Sequence, residues 1–211
     1  MMSAQEKELR REFVEHGASL YERGYATGAA GNMSLMLPDG NVIATPTGSC
    51  LGRLDPDNLS KVDINGNLLE GPKATKEAKF HLAIYRGNPG VKAIVHLHST
   101  YSTALSCLDN LNKANVFKAF TPYVVMRMGE IPLIPYYKPG SDKLVEDVEK
   151  LAPDHIAFLL ANHGPVAGGK DLVTAVNNVE EFEATAKLFF TLQSKADHIR
   201  YLTDAEVNEL R

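Results

Sequence analysis

Ala93-Ile94-Val95-His96-Leu97-His98-Ser99-Thr100 is the stretch whose reading decides the fold and locates the chemistry. An apolar run ending in His-Leu-His predicts a buried β-strand over 91–98. Side chains alternate faces along a strand, so His96 and His98 point the same way while Leu97 turns back into the core. Two imidazoles on one face at a strand end can hold one metal ion, or can line a polar rim as hydrogen-bonded histidines.

The surroundings predict helices interleaved with strands. Upstream, Thr75–Arg86 carries Ala78, Leu82 and Tyr85 along one side and stops at Asn88-Pro89-Gly90, the pattern of a helix feeding the histidine strand. Further back, residues 4–22 have helical spacing closed by Gly24. A small, glycine-rich stretch then leads into a strand Met33–Leu37, turned by Pro38-Asp39-Gly40-Asn41 into Val42–Thr45. Leu59–Ile64 and Leu68–Leu69 flank a second hairpin signal, Asn65-Gly66. Downstream, the pattern predicts a short helix 99–108, a strand 131–136, an amphipathic helix 141–151 and an apolar strand His155–Ala161. A long helix 171–195 follows, then a capped final helix from Thr203-Asp204-Ala205-Glu206. Residues 112–130 are harder to read, with Thr121-Pro122-Tyr123-Val124-Val125-Met126 their informative part. The expected fold class is α/β, a single domain spanning 1–211 whose sheet is covered by helices on its faces.

Composition narrows the function. In 211 residues, 44% are hydrophobic and 23% charged, ordinary for one globular core. Net charge is −4 with no basic block, which argues against nucleic acid as a partner. The longest apolar run, Ile156–Ala161, is too short to span a bilayer, so no membrane partner is expected. The opening residues mix Glu and Lys/Arg with no apolar run after them and do not read as a secretory signal. Two cysteines, Cys50 and Cys107, suggest no disulfide framework, and a reducing cytoplasm is the expected compartment. Cys107, among Ala104, Leu105 and Leu108, reads as a buried small hydrophobe.

A second apolar strand delivers His163 at its end, as the first delivers His98; a turn histidine bonded to its own backbone is the plainer alternative. Glu77 falls in the expected first turn of the 75–86 helix, where the helix dipole favours a carboxylate in any case. His81, one turn on, makes a Glu77/His81 pair a rival metal site, although its place beside Ala78 and Leu82 suits a packed histidine better. Three imidazoles and one carboxylate suit Zn²⁺ or a similar ion with one position open to substrate. Separately, Gly31-Asn32, Thr47-Gly48 and Thr75-Lys76 offer backbone N–H groups and hydroxyls of the kind that bind phosphate without a Walker motif.

Gly31-Asn32-Met33-Ser34, Thr45-Pro46-Thr47-Gly48, Glu77, His96-Leu97-His98 and Asn162-His163-Gly164 fall in the order and spacing of the class II aldolase/adducin family, which the chain resembles over nearly its whole length. The resemblance implies a three-layer α/β/α sandwich with a central, largely antiparallel sheet. It implies a zinc site (or another divalent ion such as Mn²⁺ or Co²⁺) built from His96, His98, His163 and Glu77, with Glu77 also acting as acid/base. It places the phosphate pocket on Gly31, Asn32, Thr47, Gly48, Thr75 and Lys76. It further implies a homotetramer with sites at subunit boundaries, and a catalytic tyrosine from a neighbouring subunit, for which Tyr123 is the candidate.

Within the family, Arg23–Gly28, Thr45–Gly52, Phe120–Gly129 and Arg200–Thr203 resemble the members that act on phosphorylated sugar acids. The implied reaction is decarboxylation of a 3-oxo-tetronate phosphate to dihydroxyacetone phosphate and CO₂ through a metal-stabilised enediolate. An aldolase or epimerase acting on a ketose phosphate, such as L-fuculose 1-phosphate or ribulose 5-phosphate, is the alternative; a non-catalytic adducin-like module would be expected to lack the ligands, and no HExxH supports a zinc hydrolase. One departure matters: the Ser-Ser-Glu of the aldolases is Thr75-Lys76-Glu77 here, which adds a full positive charge to engage the phosphate or the substrate carboxylate.

Overall fold

The computed structural model describes residues 2–211. Eight strands form one sheet: β1 (Asn32–Met36), β2 (Val42–Ala44), β3 (Ser60–Val62), β4 (Leu68–Glu70), β5 (Ala93–His96), β6 (Leu133–Ile134), β7 (Ala157–Leu160) and β8 (Gly164–Gly169). Their spatial order is β4-β3-β2-β1-β5-β8-β7-β6. Every pairing is antiparallel except β6 with β7. The helices are α1 (Ala4–Glu22), α2 (Ala78–Gly87), α3 (Thr100–Ser106), α4 (Pro122–Met128), α5 (Asp142–Leu151), α6 (Leu172–Leu192) and α7 (Asp204–Asn208).

Strand alternation sorts the side chains into two cores. Ala93, Val95 and Leu97 face one side, with Phe13 and Leu20 of α1 and Val179 and Phe182 of α6. Ile94, with Phe158 and Val166, faces the other, where Phe80 and Ile84 of α2 meet Leu144 and Val148 of α5. The result is the expected three-layer α/β/α sandwich. Because His96 shares the parity of Ile94, it lies on the α2 side of the sheet.

Several expectations need correction. The histidine strand is four residues long, so His98 stands just past its end. Strand β8 was not foreseen: Gly-Pro-Val-Ala-Gly-Gly looks like loop material. Its glycines are required by crowding, since a Cβ on Gly169 would lie 2.4 Å from the Ala175 nitrogen. The 112–130 stretch contains α4, started by Pro122 and ended by Gly129 at φ 66°. The long helix stops at Leu192 instead of 195. Cys107 is exposed, because α3 ends one residue before it and turns its own buried side, Ser102, Leu105 and Ser106, inward.

A buried ion network ties α1 to the sheet. Arg10, 1% exposed, donates to Glu6, to Glu70 on β4 and to the Pro56 carbonyl, while Lys61 on β3 reaches the other Glu6 oxygen at 2.8 Å. Burial pushes the Glu6 carboxyl up, but the Lys61 and Arg10 hydrogen bonds outweigh it and hold the group below its ordinary 4.5. This stabilisation is complete above pH 4.5 and fades as pH falls through the lower folded value. Replacing Glu6 with Gln leaves a buried guanidinium short of its counter-charge and should cost about 3 kcal/mol in urea unfolding. A change under about 1 kcal/mol would show that the network contributes little.

Candidate metal centre

His96 ends β5 with its ring fully buried. Its Nδ1 donates to the Pro165 carbonyl on β8 at 2.8 Å, which leaves Nε2 as a bare acceptor directed outward. Leu97 then buries its side chain completely, and His98 re-emerges on the His96 side. His163 lies in the tight β7–β8 connection, 161–163, where Asn162 takes φ 53°, a left-handed conformation asparagine tolerates. Helix α3 grips this turn: the His163 N–H donates to Ser106 Oγ at 3.1 Å, and Thr103 Oγ1 donates to the His163 carbonyl. Glu183 of α6 in turn caps α3, accepting from the Tyr101 and Ser102 amides at 2.8 Å.

Glu77 is the N-cap residue of α2, not a member of its first turn. Its Oε2 accepts from Asn32 Nδ2 at 2.7 Å. Asn32 stands directly opposite His96 in the β1–β5 register, so one cross-strand pair supplies a ligand candidate and the group that aims the carboxylate. Glu77 Oε1 is buried without a hydrogen-bond partner.

These residues converge. His96 Nε2 lies 3.2 Å from His98 Nε2 and 3.3 Å from His163 Nε2, while Glu77 oxygens stand 3.4 Å from His96 and His163. All four ligand atoms fall within 4.8 Å of one another. Burial, then the neighbouring His163 and His98, push the His96 imidazole well below its ordinary 6.5; burial and His163 also lower His98. With His96 Nε2 an acceptor, His98 and His163 bring two further ring nitrogens within 3.3 Å of it, a crowding that a cation between them would satisfy. Ligands about 2.0–2.1 Å from a tetrahedral zinc stand about 3.3 Å apart, which the nitrogen separations match. With the orphaned Glu77 oxygen, the donor set fits a divalent ion. The rival pair fails: His81 is fully buried and turned to Ser34, with Nδ1 2.7 Å from its hydroxyl.

Gly31, Asn32, Thr47, Gly48, Thr75 and Lys76 line one cleft of about 320 Å³ together with Glu77, His98 and His163. The Thr47 hydroxyl proton is already given to the Ala74 carbonyl, so Thr47 can only accept from a ligand. Tyr123, 60% exposed on α4, is not among the residues lining this cleft. Sequence reasoning missed the Pro165 carbonyl, the Asn32–Glu77 bond, Ser106 and Glu183. Asn32 was visible, but only as pocket material; the others are set by chain packing and left no local signal.

The chain belongs to the class II aldolase and adducin family, whose N-terminal domain matches residues 11–190. It is 60% identical to a 3-oxo-tetronate 4-phosphate decarboxylase of Escherichia coli K12 over 206 residues, 98% of this chain and 96% of that relative. The crystal structure of YgbL from Escherichia coli, described only by the class aldolase/epimerase/decarboxylase, superimposes with a TM-score of 0.95 at 59% identity, covering 98% of this chain and 99% of that one. An L-fuculose 1-phosphate aldolase superimposes with a TM-score of 0.87 at 29% identity, covering 100% and 96%. No helix is long and apolar enough to cross a membrane among the described residues.

Two outcomes follow. A Cβ on Gly164 would lie 2.3 Å from the Leu97 carbonyl, between His96 and His98, so Gly164→Ala should cost about 1–3 kcal/mol and displace His163. Unaltered urea stability would contradict that close approach. His81 is pushed down to about 3 by burial, so the unfolded chain takes up its proton first. The metal-free protein should therefore lose stability as pH falls from 6.5, before carboxylates protonate; a unfolding midpoint level through that window would contradict neutral burial.

Proposed function

We propose that this chain is a divalent-metal-dependent lyase that decarboxylates 3-oxo-tetronate 4-phosphate to dihydroxyacetone phosphate and CO₂, with zinc as the ion. The observation that carries this reading is the convergence of three imidazole nitrogens and a carboxylate oxygen without a hydrogen-bond partner, beside a cleft lined by glycine, threonine and lysine. The relative's printed activity gives the substrate, and the cleft chemistry is in keeping with it.

In the reaction the C1–C2 bond of the 3-oxo acid breaks and CO₂ leaves. Its electron pair moves to C2–C3 and the C3 oxygen, and C2 then takes a proton. When bound by His96, His98, His163 and Glu77, the ion would supply Lewis-acid stabilisation of the charge on that oxygen. Asn32 holds Glu77 at one oxygen. Glu77, which lines the cleft, is our proton carrier to C2, with Tyr123 of a neighbouring copy as the other donor. Gly31 and Gly48 present backbone to the 4-phosphate, and Thr75 and Lys76 flank it; the lysine charge suits a substrate with two anionic ends. Burial of the His96 ring keeps water from its back face. The exposed pair Tyr123 and Met126 on α4, each 60% accessible, is the surface we assign to a subunit contact within a homotetramer. The same enediolate serves aldol cleavage, and the aldolase likeness makes a ketose phosphate the second substrate to try.

The zinc-loaded protein, given 3-oxo-tetronate 4-phosphate, should release CO₂ and dihydroxyacetone phosphate. His98→Ala should lose bound zinc and fall about a thousandfold in turnover, the loss of ~4 kcal/mol of charge stabilisation. Cleavage of L-fuculose 1-phosphate without CO₂ release from the sugar acid would replace this reading with an aldolase.

A further inference from the structure

Behind the four converging groups, α2 is pinned to the sheet by polar contacts where the rest of its face packs on apolar side chains. Glu77, His81 and Tyr85 are spaced four residues apart and so lie on one stripe of the helix. Asn32 and Ser34, two apart on β1, lie on the one sheet face that this stripe covers. Asn32 holds Glu77. Ser34 Oγ lies 2.7 Å from His81 Nδ1 and 2.7 Å from Tyr85 OH. Ser34 is 1% exposed, His81 0% and Tyr85 3%, so water does not compete for these bonds.

An apolar stripe would hold α2 against the sheet without setting its rotation, because apolar contacts have no direction. Side-chain tips stand about 5–6 Å from a helix axis, so a turn of about 20° would carry the Glu77 carboxylate about 2 Å away. A productive site tolerates about 0.5 Å. The Ser34 hydroxyl, held from two successive turns of the helix, resists that rotation.

We infer that Ser34, His81 and Tyr85 form a rotational lock on α2, and that His81 is a positioning residue aiming Glu77 at the three histidines. The inference rests on the metal reading above, but concerns residues that touch neither ion nor substrate.

Zinc affinity, measured by competition with a chromophoric chelator, tests it without substrate. Ser34→Ala should weaken zinc about 10–100-fold in the otherwise native protein, as loss of outer supporting bonds does. In a Glu77→Gln background the same change should alter affinity less than about twofold, because the group being aimed is gone. His81→Asn, which keeps a polar atom near the Nδ1 position, should stay within about threefold of native, whereas His81→Leu should fall with Ser34→Ala. If Ser34→Ala fails to fold, the His81 pair decides alone. Equal losses with and without Glu77, or equal affinity of the Asn and Leu variants, would overturn the lock. Native protein that binds no zinc would instead overturn the metal reading itself.

Discussion

Three imidazole nitrogens share a space about as wide as one metal coordination shell, and much of the fold is arranged around that crowding. The ring nitrogens stand 3.2 and 3.3 Å apart, and the arrangement is held by its supports. The Pro165 carbonyl orients His96, α3 clasps the His163 turn, and Asn32 restrains Glu77. Each support comes from a different element. The sheet order, which sets β1 and β8 on either side of β5, is what lets three distant segments meet.

Glycine makes this approach possible. Gly164 brings the β8 backbone against the Leu97 carbonyl, and Gly31, at φ 82°, brings the β1 approach within 3.0 Å of the His96 carbonyl for any added Cβ. The chain running through His96-Leu97-His98 is therefore gripped from both sides by backbone. The sequence suggests Gly31 as phosphate-binding material; the structure gives it this second, steric reason to be glycine.

The parts of the site legible in the sequence were those with local signatures. Period-two alternation placed His96 and His98 on one face, and an apolar run delivered His163 to a turn. Helical rhythm brought Glu77 close to its place, one position short of the helix proper. What stayed hidden depends on contacts between distant segments. Strand β8 was masked by its own glycines, whose small size is demanded by α6 and Val91 packing on it. The burial expected of Cys107 failed because a short helix can end one residue early and reverse which side faces out. The place of His81 beside Ala78 and Leu82 suits a packed histidine, but its partner, Ser34, lies on a strand no periodicity argument connects to it.

Family membership and the converging His/Glu cluster both point to a divalent-metal site, and Lys76 adds a positive charge to the cleft beside it. The central claim remains the meeting of four ligands on one ion. X-ray absorption at the zinc edge of the loaded protein tests it most directly. The account predicts three imidazole nitrogens and carboxylate oxygen at about 2.0–2.1 Å, with no sulfur. A shell with fewer than three imidazoles, or one containing thiolate, would contradict it.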